Sequence, residues 1–336
     1  MQRRLFLAVI ALALVAATAI ALAPDLRKAF DPLPSWTEDT AKHSIINFVQ
    51  RAVTEGGPDY IPPDRRIATF DNDGTLWAEQ PVYPEAVFVF DRVKALAPQH
   101  PEWAEVEPFK SALAGDYDAV ARQGDTAFQT LAIAAGSGMS DAAFEQTIVQ
   151  WLETARHPRF DRPYTELAYQ PMLELLSYLR DNGFKTFIVS GGGIEFLRAF
   201  AEKTYGIPPE QVIGSTVALS FRMDGGVPAL LRLDRATAMD VGPVKAQRIG
   251  IVIGRRPVFA AGNSDGDLEM LQWTTMTGGP RFGMLVHHTD ADREWAYDRQ
   301  SDIGHLAEAL DQARERGWVV VDMKRDWRTV FAFENN

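Results

Sequence analysis

Cysteine is absent from the 336 residues of the chain. Its absence excludes disulfides, thiol nucleophiles and thiolate metal sites, so a metal would have to be held by harder ligands such as oxygen. Positive charge is also in deficit, because 34 lysines and arginines stand against 45 aspartates and glutamates, for a formal net charge of -11. Such a chain offers no basic surface to neutralise a phosphate backbone, so we expect no nucleic-acid partner.

Apolar sequence is plentiful, with 46% hydrophobic and 24% charged residues. A chain of this length and composition can bury a substantial core, so disorder is not expected. The expected organisation is one catalytic domain with an inserted subdomain.

The amino terminus carries a long apolar run. Arg3 and Arg4 are followed by apolar residues over positions 5–23, interrupted only by Thr18. This pattern predicts an export signal over residues 1–23, which would place the rest of the protein in the periplasm or outside the cell. The run ends in a small-x-small pattern typical of a cleavage site, yet it is nearly long enough to span a bilayer. A cleaved peptide and a retained membrane anchor both remain open, and a buried helix is a weaker interpretation because the run has no polar face.

Four short β-type runs each end in a polar or glycine-rich cluster. Residues 66–70 lead directly into Asp71-Asn72-Asp73-Gly74-Thr75, which puts two carboxylates at the carboxyl end of a predicted strand. Helical segments separate the runs, so the sequence predicts an α/β fold with a parallel sheet whose strand ends build one site. The other three are residues 186–189 before Ser190-Gly191-Gly192-Gly193, residues 258–261 before Gly262-Asn263-Ser264-Asp265-Gly266-Asp267, and residues 282–286 before His287-His288.

Helical periodicity between the first two clusters predicts an inserted helical cap. We expect residues 24–65 to form a linker and a short helix, residues 66–76 and 169–336 the catalytic core, and residues 77–168 the cap. Two β-type runs between residues 217 and 233 flank Asp224-Gly225, which predicts a hairpin.

The spacing of Asp71 and Asp73 implies a division of labour. Residues two apart on an extended strand point to the same face, but the strand ends here and the chain turns at Gly74, so the two carboxylates need not duplicate each other. One can attack phosphorus and bind a cation, while the other protonates the leaving oxygen and later accepts a proton from water.

The pattern Asp71-x-Asp73-Gly74-Thr75 resembles the first motif of the haloacid dehalogenase superfamily, in its phosphatase branch. The resemblance implies a Rossmann-like core in which Asp71, Asp73 and Lys245 are catalytic. It also implies that Ser190 and the backbone amide of Gly191 hold the phosphoryl oxygens, since glycine allows a close approach of the backbone.

The fourth motif departs from the family pattern, because Asn263 stands where an aspartate is usual, with Asp267 four residues later. An asparagine oxygen can still bind magnesium, although one negative charge is lost. The metal ligands implied by the resemblance are Asp71, the carbonyl of Asp73, Asn263, and Asp267 close by or through water, with Mg²⁺ as the cofactor.

The substrate pocket is the least determined part. In phosphoserine phosphatases of the family a glutamate shortly after the first motif meets the substrate amine, and Glu79 is the candidate for that contact here. Trp77 and Tyr83 could instead shape an aromatic pocket for a choline-like cation. His287 and His288 favour a structural role, because no third ligand accompanies them.

The resemblance therefore implies an exported Mg²⁺-dependent phosphomonoesterase, similar to phosphoserine phosphatases, that acts on a small phosphorylated metabolite through an aspartyl phosphate. The membrane would be a partner only through an uncleaved amino terminus. One alternative is a non-catalytic exported binding protein in which Asn263 marks a decayed metal site. A dehalogenase is a weaker alternative, because that chemistry has no leaving alkoxide for Asp73 to protonate.

Overall fold

The computed structural model describes residues 31–335, so the predicted export segment lies outside the described residues. Within this part of the chain an eight-stranded sheet forms, in the order β4-β3-β2-β1-β5-β6-β7, and β8 also pairs with β6. The strands are β1 Ile67–Phe70, β2 Lys185–Gly193, β3 Val212–Asp224, β4 Val227–Ala238, β5 Phe259–Gly262, β6 Phe282–Thr289, β7 Ala296–Tyr297 and β8 Val319–Asp322.

Helices cover the faces of the sheet and fill the stretch between β1 and β2. They are α1 Thr40–Val53, α2 Pro84–Leu96, α3 Phe109–Ala114, α4 Tyr117–Arg122, α5 Asp125–Ala134, α6 Asp141–Thr154, α7 Gln170–Asp181, α8 Ile194–Tyr205, α9 Pro243–Val252, α10 Leu268–Thr275, α11 Glu308–Arg316 and α12 Met323–Asp326. In the described residues no helix is both long enough and apolar enough to cross a membrane.

The central strands are parallel and buried, as the continuous apolar runs predict. All four residues of β1 and all four of β5 are buried. Phe70 of β1 lies opposite Ile188 of β2 on one side and Ala261 of β5 on the other. The clusters that follow these three strands therefore emerge side by side at one edge of the sheet, and the predicted α/β fold is confirmed.

The predicted hairpin is also confirmed, because β3 and β4 pair antiparallel with Asp224 opposite Val227. Gly225 and Gly226 both have positive φ, which a side chain would disfavour in this two-residue turn. The short strand β7 pairs antiparallel with β6, so the sheet is mixed rather than wholly parallel.

Helices α2 to α6 occupy the stretch for which a cap is predicted. Ser140 accepts a hydrogen bond from the backbone N–H of Ala143, which caps the start of α6. Phe88 of α2 packs edge-on against Phe144 and Trp151 of α6. The centre of its ring lies 5.6 Å from that of Phe196, in the core helix α8. Aromatic packing thus joins these helices to one another and to the core, while the exact domain boundaries stay a prediction.

Candidate active site

Asp71 and Lys245 meet at the carboxyl end of β1. Asp71 follows the last residue of the strand, and its backbone N–H donates to Ala261 of the neighbouring strand. Lys245 lies in the first turn of α9, far along the chain, and is only 3% exposed. Its Nζ donates to Oδ1 of Asp71 and to Oδ1 of Asp267, at 2.6 Å in each case. One ammonium group therefore bridges two buried carboxylates.

Around Lys245 the carboxyl groups outnumber the cations, because one ammonium lies between Asp71 and Asp267. Burial, together with the nearby carboxylate of Asp267, raises the pKa of Asp71 to about 8, although Lys245 acts in the opposite direction. Burial alone would lower the pKa of Lys245, but the two carboxylates outweigh it and hold that pKa above its ordinary value. The lysine is therefore protonated, and the group of carboxylates favours a further cation.

Both carboxylate oxygens of Asp267 accept hydrogen bonds from protein groups. Oδ1 binds Lys245, while Oδ2 accepts from the backbone N–H of Asn263 at 3.0 Å and of Ser264 at 3.1 Å. In this geometry Asp267 orients the lysine and the loop after β5. Its predicted place as a metal ligand stays a prediction and would have to operate beside these contacts.

Asp73 turns away from Lys245 toward an aromatic side chain. Its Oδ1 accepts a hydrogen bond from the indole Nε1 of Trp77 at 2.7 Å. Burial raises the pKa of Asp73, although this hydrogen bond lowers it. A carboxyl group whose pKa is raised is suited to act as a general acid.

Asn263 follows β5 and makes contacts with both ends of its amide. Its Oδ1 accepts from the hydroxyl of Thr75 at 3.0 Å, and its Nδ2 donates to Oε1 of Glu79 at 2.7 Å. Gly74 lies against this amide, and a Cβ at position 74 would overlap Nδ2. The glycine of the first motif is thus required by the side chain of the fourth.

Glu79 is buried beside the loop after β5. It is 2% exposed, and its Oε1 accepts from Tyr297 at 2.7 Å as well as from Asn263. Burial raises the pKa of Glu79 to about 8. In this geometry Glu79 supports the loop after β5 through Asn263, and its predicted contact with a substrate amine stays a prediction.

His288 is buried in the same region, and its ring contacts only protein groups among the described residues. Its Nε2 lies 2.8 Å from the carbonyl of Gly74, and its Nδ1 lies 3.0 Å from Glu294. Its ring stacks on Tyr297 with centroids 4.3 Å apart. The end of β6 thereby holds the Asp71–Thr75 loop in place through the carbonyl of Gly74.

Ser190 and Gly191 lie in the last four residues of β2, the strand that pairs with β1. Ser190 is 1% exposed, and its Oγ accepts from the backbone N–H of Gly192 at 3.2 Å. The carbonyl of Gly191 accepts from Ser215 at 2.7 Å, which fixes the loop against β3. The pairing of β1 with β2 brings this loop alongside the acidic cluster, as an anion-binding role requires.

Sequence reasoning missed two residues of this region and the contact of a third. Thr75 orients Asn263, Glu85 reaches from α2 to the Gly193 amide at 2.9 Å, and Asp240 is fully buried near Lys245. Burial raises the pKa of Asp240 to about 6, against the effect of Lys245. No local pattern marks Glu85 or Asp240, since each acts on residues distant from it in the chain. Thr75 was quoted as part of the first motif, but its partner could not be foreseen.

The donor atoms fit a hard cation. Within residues 31–335 no group of three or more histidine or acidic side chains is arranged to hold a metal. The ligand set implied by the family needs fewer acidic side chains than that. It uses the carboxylate of Asp71, the carbonyl of Asp73 and the side-chain oxygen of Asn263. In the described chain no donor reaches Oδ2 of Asp71, and an amide oxygen has two lone pairs, so Asn263 can accept from Thr75 and still bind a cation.

Comparisons with known proteins agree with this architecture. The model of a family described as haloacid dehalogenase-like hydrolase matches residues 68–272. No curated protein matches the sequence. A conserved functionally unknown protein from Anaerococcus prevotii DSM 20548 is 14% identical, with a TM-score of 0.55 over 87% of this chain and 94% of that chain. That likeness shows a shared fold.

Two further solved structures are more distant. A protein with unknown function from Bordetella pertussis Tohama I is 14% identical, with a TM-score of 0.49 over 77% of this chain and 99% of that chain. A probable phosphoserine phosphatase from Vibrio cholerae is 16% identical, with a TM-score of 0.37 over 76% of this chain and 68% of that chain.

Proposed function

The chain belongs to the haloacid dehalogenase-like hydrolase family, and from this premise we propose that it is a magnesium-dependent phosphomonoesterase for small phosphorylated metabolites. The observation that carries the proposal is the contact of Lys245 with both Asp71 and Asp267. A fixed cation beside the nucleophile is suited to a substrate that arrives with a doubly charged phosphoryl group.

In the first half of the reaction Asp71 attacks phosphorus. An O–P bond forms to its carboxylate as the bond to the leaving oxygen breaks, and the raised pKa of Asp73 supports its role as the proton donor to that oxygen. Ser190 and the Gly191 amide orient the phosphoryl oxygens, while Lys245 offsets their charge.

In the second half Asp73 takes a proton from water. The water oxygen forms a bond to phosphorus, the bond to Asp71 breaks, and inorganic phosphate leaves with both aspartates restored. When bound, Mg²⁺ would neutralise charge on the nucleophile and the phosphoryl group; Asp71, the Asp73 carbonyl and Asn263 would hold it.

The proposal is tested by hydrolysis of para-nitrophenyl phosphate with the full-length chain, with and without Mg²⁺. We expect turnover that requires the metal and falls at least about a thousandfold in Asp71→Asn. Asp64→Asn is the matched control, because Asp64 is exposed. Mass spectrometry of rapidly quenched enzyme should show one added phosphoryl group in the wild type and none in Asp71→Asn.

The contacts of Asn263 favour one rival function. Its amide already binds Thr75 and Glu79, as expected if the metal site has decayed and the protein only binds a ligand. Folded protein that binds no Mg²⁺ by calorimetry and hydrolyses no phosphomonoester would support this rival. Release of chloride from a haloacid, with no phosphate ester hydrolysed, would instead support a dehalogenase.

Export is a separate part of the proposal and is supported by the sequence of residues 1–23. Fusing these residues to a reporter that is active only outside the cytoplasm should give activity. Edman or mass analysis of the mature amino terminus then separates a cleaved peptide from a retained anchor. A reporter that stays inactive would contradict export.

A further inference from the structure

A cavity opens beside the proposed phosphoryl site, between the cap helices, the Gly191 loop and the β3–β4 hairpin. Its volume is about 570 Å³ including its open mouth. Because Gly191 and Gly193 line it, the leaving group of a phosphomonoester held by Ser190 would extend into it. Most of the wall is apolar, and it includes Val89, Phe128, Ile133, Phe144, Phe196 and Val217.

Glu85 brings a carboxylate into this largely apolar cavity. It stands in the first turn of α2, and its Oε2 accepts from the backbone N–H of Gly193 at 2.9 Å. The absence of a side chain at Gly193 allows this approach, since a Cβ there would lie 2.7 Å from Oε1. In the described chain no donor reaches Oε1, and Glu85 is only partly buried, so this oxygen is available to a ligand.

The guanidinium of Arg232, which also lines the cavity, already lies beside two carboxylates of the protein. Arg232 is 4% exposed, and its guanidinium lies 2.9 Å from Glu195 and 4.0 Å from the centre of the Phe144 ring. Asp141 lies 3.7 Å from the same guanidinium nitrogen. The Nε atom of Arg232 lies against Gly136, where a Cβ would come within 2.9 Å of it. One arginine thus lies beside two carboxylates, so this group has no net positive charge that would attract a carboxylate on a ligand.

Among the described residues Glu85 forms no ion pair, and its one hydrogen bond is the contact with the Gly193 amide. Burial raises the pKa of Glu85 to about 7; the carboxylates of Asp73 and Glu195 raise it as well, while the Gly193 N–H and Arg232 lower it. A ligand cation would therefore meet net negative charge, whereas a ligand anion would be repelled.

We propose that this cavity binds the leaving group of a phosphomonoester that carries an ammonium group and no carboxylate. The ammonium donates a hydrogen bond to Oε1 of Glu85, and the carbon chain packs on the aromatic wall. This inference rests on the proposed phosphatase function and narrows it to amino-alcohol esters.

The test compares four esters of similar size on the full-length chain with Mg²⁺: 2-aminoethyl phosphate, propyl phosphate, carboxymethyl phosphate and phosphoserine. We expect kcat/KM for the amino ester to exceed that for propyl phosphate at least about tenfold, with the two carboxylate esters poorest. Glu85→Gln should lower the ratio of amino to propyl ester by about tenfold or more. Glu105→Gln, an exposed glutamate of the same cap, is the matched control and should leave the ratio unchanged.

A ratio that Glu85→Gln does not change, or a preference for either carboxylate ester, would overturn the inference. If Glu85→Gln does not fold, the order of the four esters on the wild type decides the matter. If no ester is hydrolysed, including para-nitrophenyl phosphate, the proposed function fails, and calorimetric binding of the same four esters to the wild type still tests the cavity. Equal binding of all four would then reject it.

Discussion

The side-chain amide of Asn263 donates a hydrogen bond to the carboxylate of Glu79 across 2.7 Å. A carboxyl group therefore lies directly beside position 263, on the side chain of Glu79. Both groups are buried, at 1% and 2% exposure, so an aspartate at 263 would bring two carboxylates together out of water. The asparagine and the glutamate are suited to each other as a pair.

The first prediction is that Asn263→Asp alone destabilises the protein and that Glu79→Gln rescues it. We expect the free energy of unfolding to fall by about 2 kcal/mol in Asn263→Asp, because two buried carboxylates repel. In the double variant the new amide at position 79 would donate to the new carboxylate at position 263 and recover at least about 1 kcal/mol. Urea unfolding of the four proteins without metal gives the coupling energy, and additive effects would show that the two side chains are not coupled.

The central fold could be predicted from the sequence because its signals are local. Each parallel strand is a short apolar run that ends in the polar cluster which follows it, as in Phe70 before Asp71. Strand ends of a parallel sheet meet at one edge, so the meeting of Asp71, Ser190 and Asn263 followed from their places after strands. Lys245 was located only by its order in the family pattern, and the structure places it 2.6 Å from Asp71.

The rest of the site depends on contacts that no local pattern encodes. Glu85 and Gly193 are 108 positions apart, and Glu79 and Tyr297 are 218 apart. Glu79 was expected to face the substrate because of its distance from the first motif. The loop after Thr75 turns it toward Asn263, and a contact of that kind is fixed by tertiary packing.

The second prediction concerns Gly304, whose φ is +65°. A Cβ at this position would overlap Oε1 of Glu79, so Gly304→Ala should lower the free energy of unfolding by about 2 to 4 kcal/mol. Gly317 is the matched control, because it also has positive φ but no atom lies within 4 Å of the position that a Cβ would take there. Gly317→Ala should cost about 1 kcal/mol, measured in the same denaturant series. Equal losses in the two variants would mean that the Glu79 contact carries no constraint.

The third prediction is that Lys245→Met destabilises the protein by about 3 kcal/mol near pH 8, because two buried carboxylates lose their shared cation. The loss should shrink as the pH falls. The pKa of Asp71 is about 8 in the fold against an ordinary 3.8, so folding takes up a proton between these values and acid favours the folded state. Lysine is charged throughout this window, so the carboxylates produce the change.

Thermal unfolding of Lys245→Met and wild type at pH 8 and pH 5, without metal, measures this effect. Lys203→Met, at an exposed position of α8, should stay within about 0.5 kcal/mol of wild type at both pH values. A loss that grows on acidification would contradict the assignment of the buried negative charge.

The last prediction separates a structural arginine from a substrate-binding one. Arg232→Met should lower the free energy of unfolding by about 3 kcal/mol, because Glu195 would be left buried without its partner 2.9 Å away. Arg232→Met with Glu195→Leu should recover much of that loss, since an apolar pair of similar volume can replace a buried ion pair. If Arg232 instead recognised a carboxylate on the substrate, the single variant would lose kcat/KM selectively for phosphoserine over 2-aminoethyl phosphate. We expect both esters to change in parallel, because the charge of the guanidinium is already offset by Glu195 and Asp141, 2.9 and 3.7 Å away.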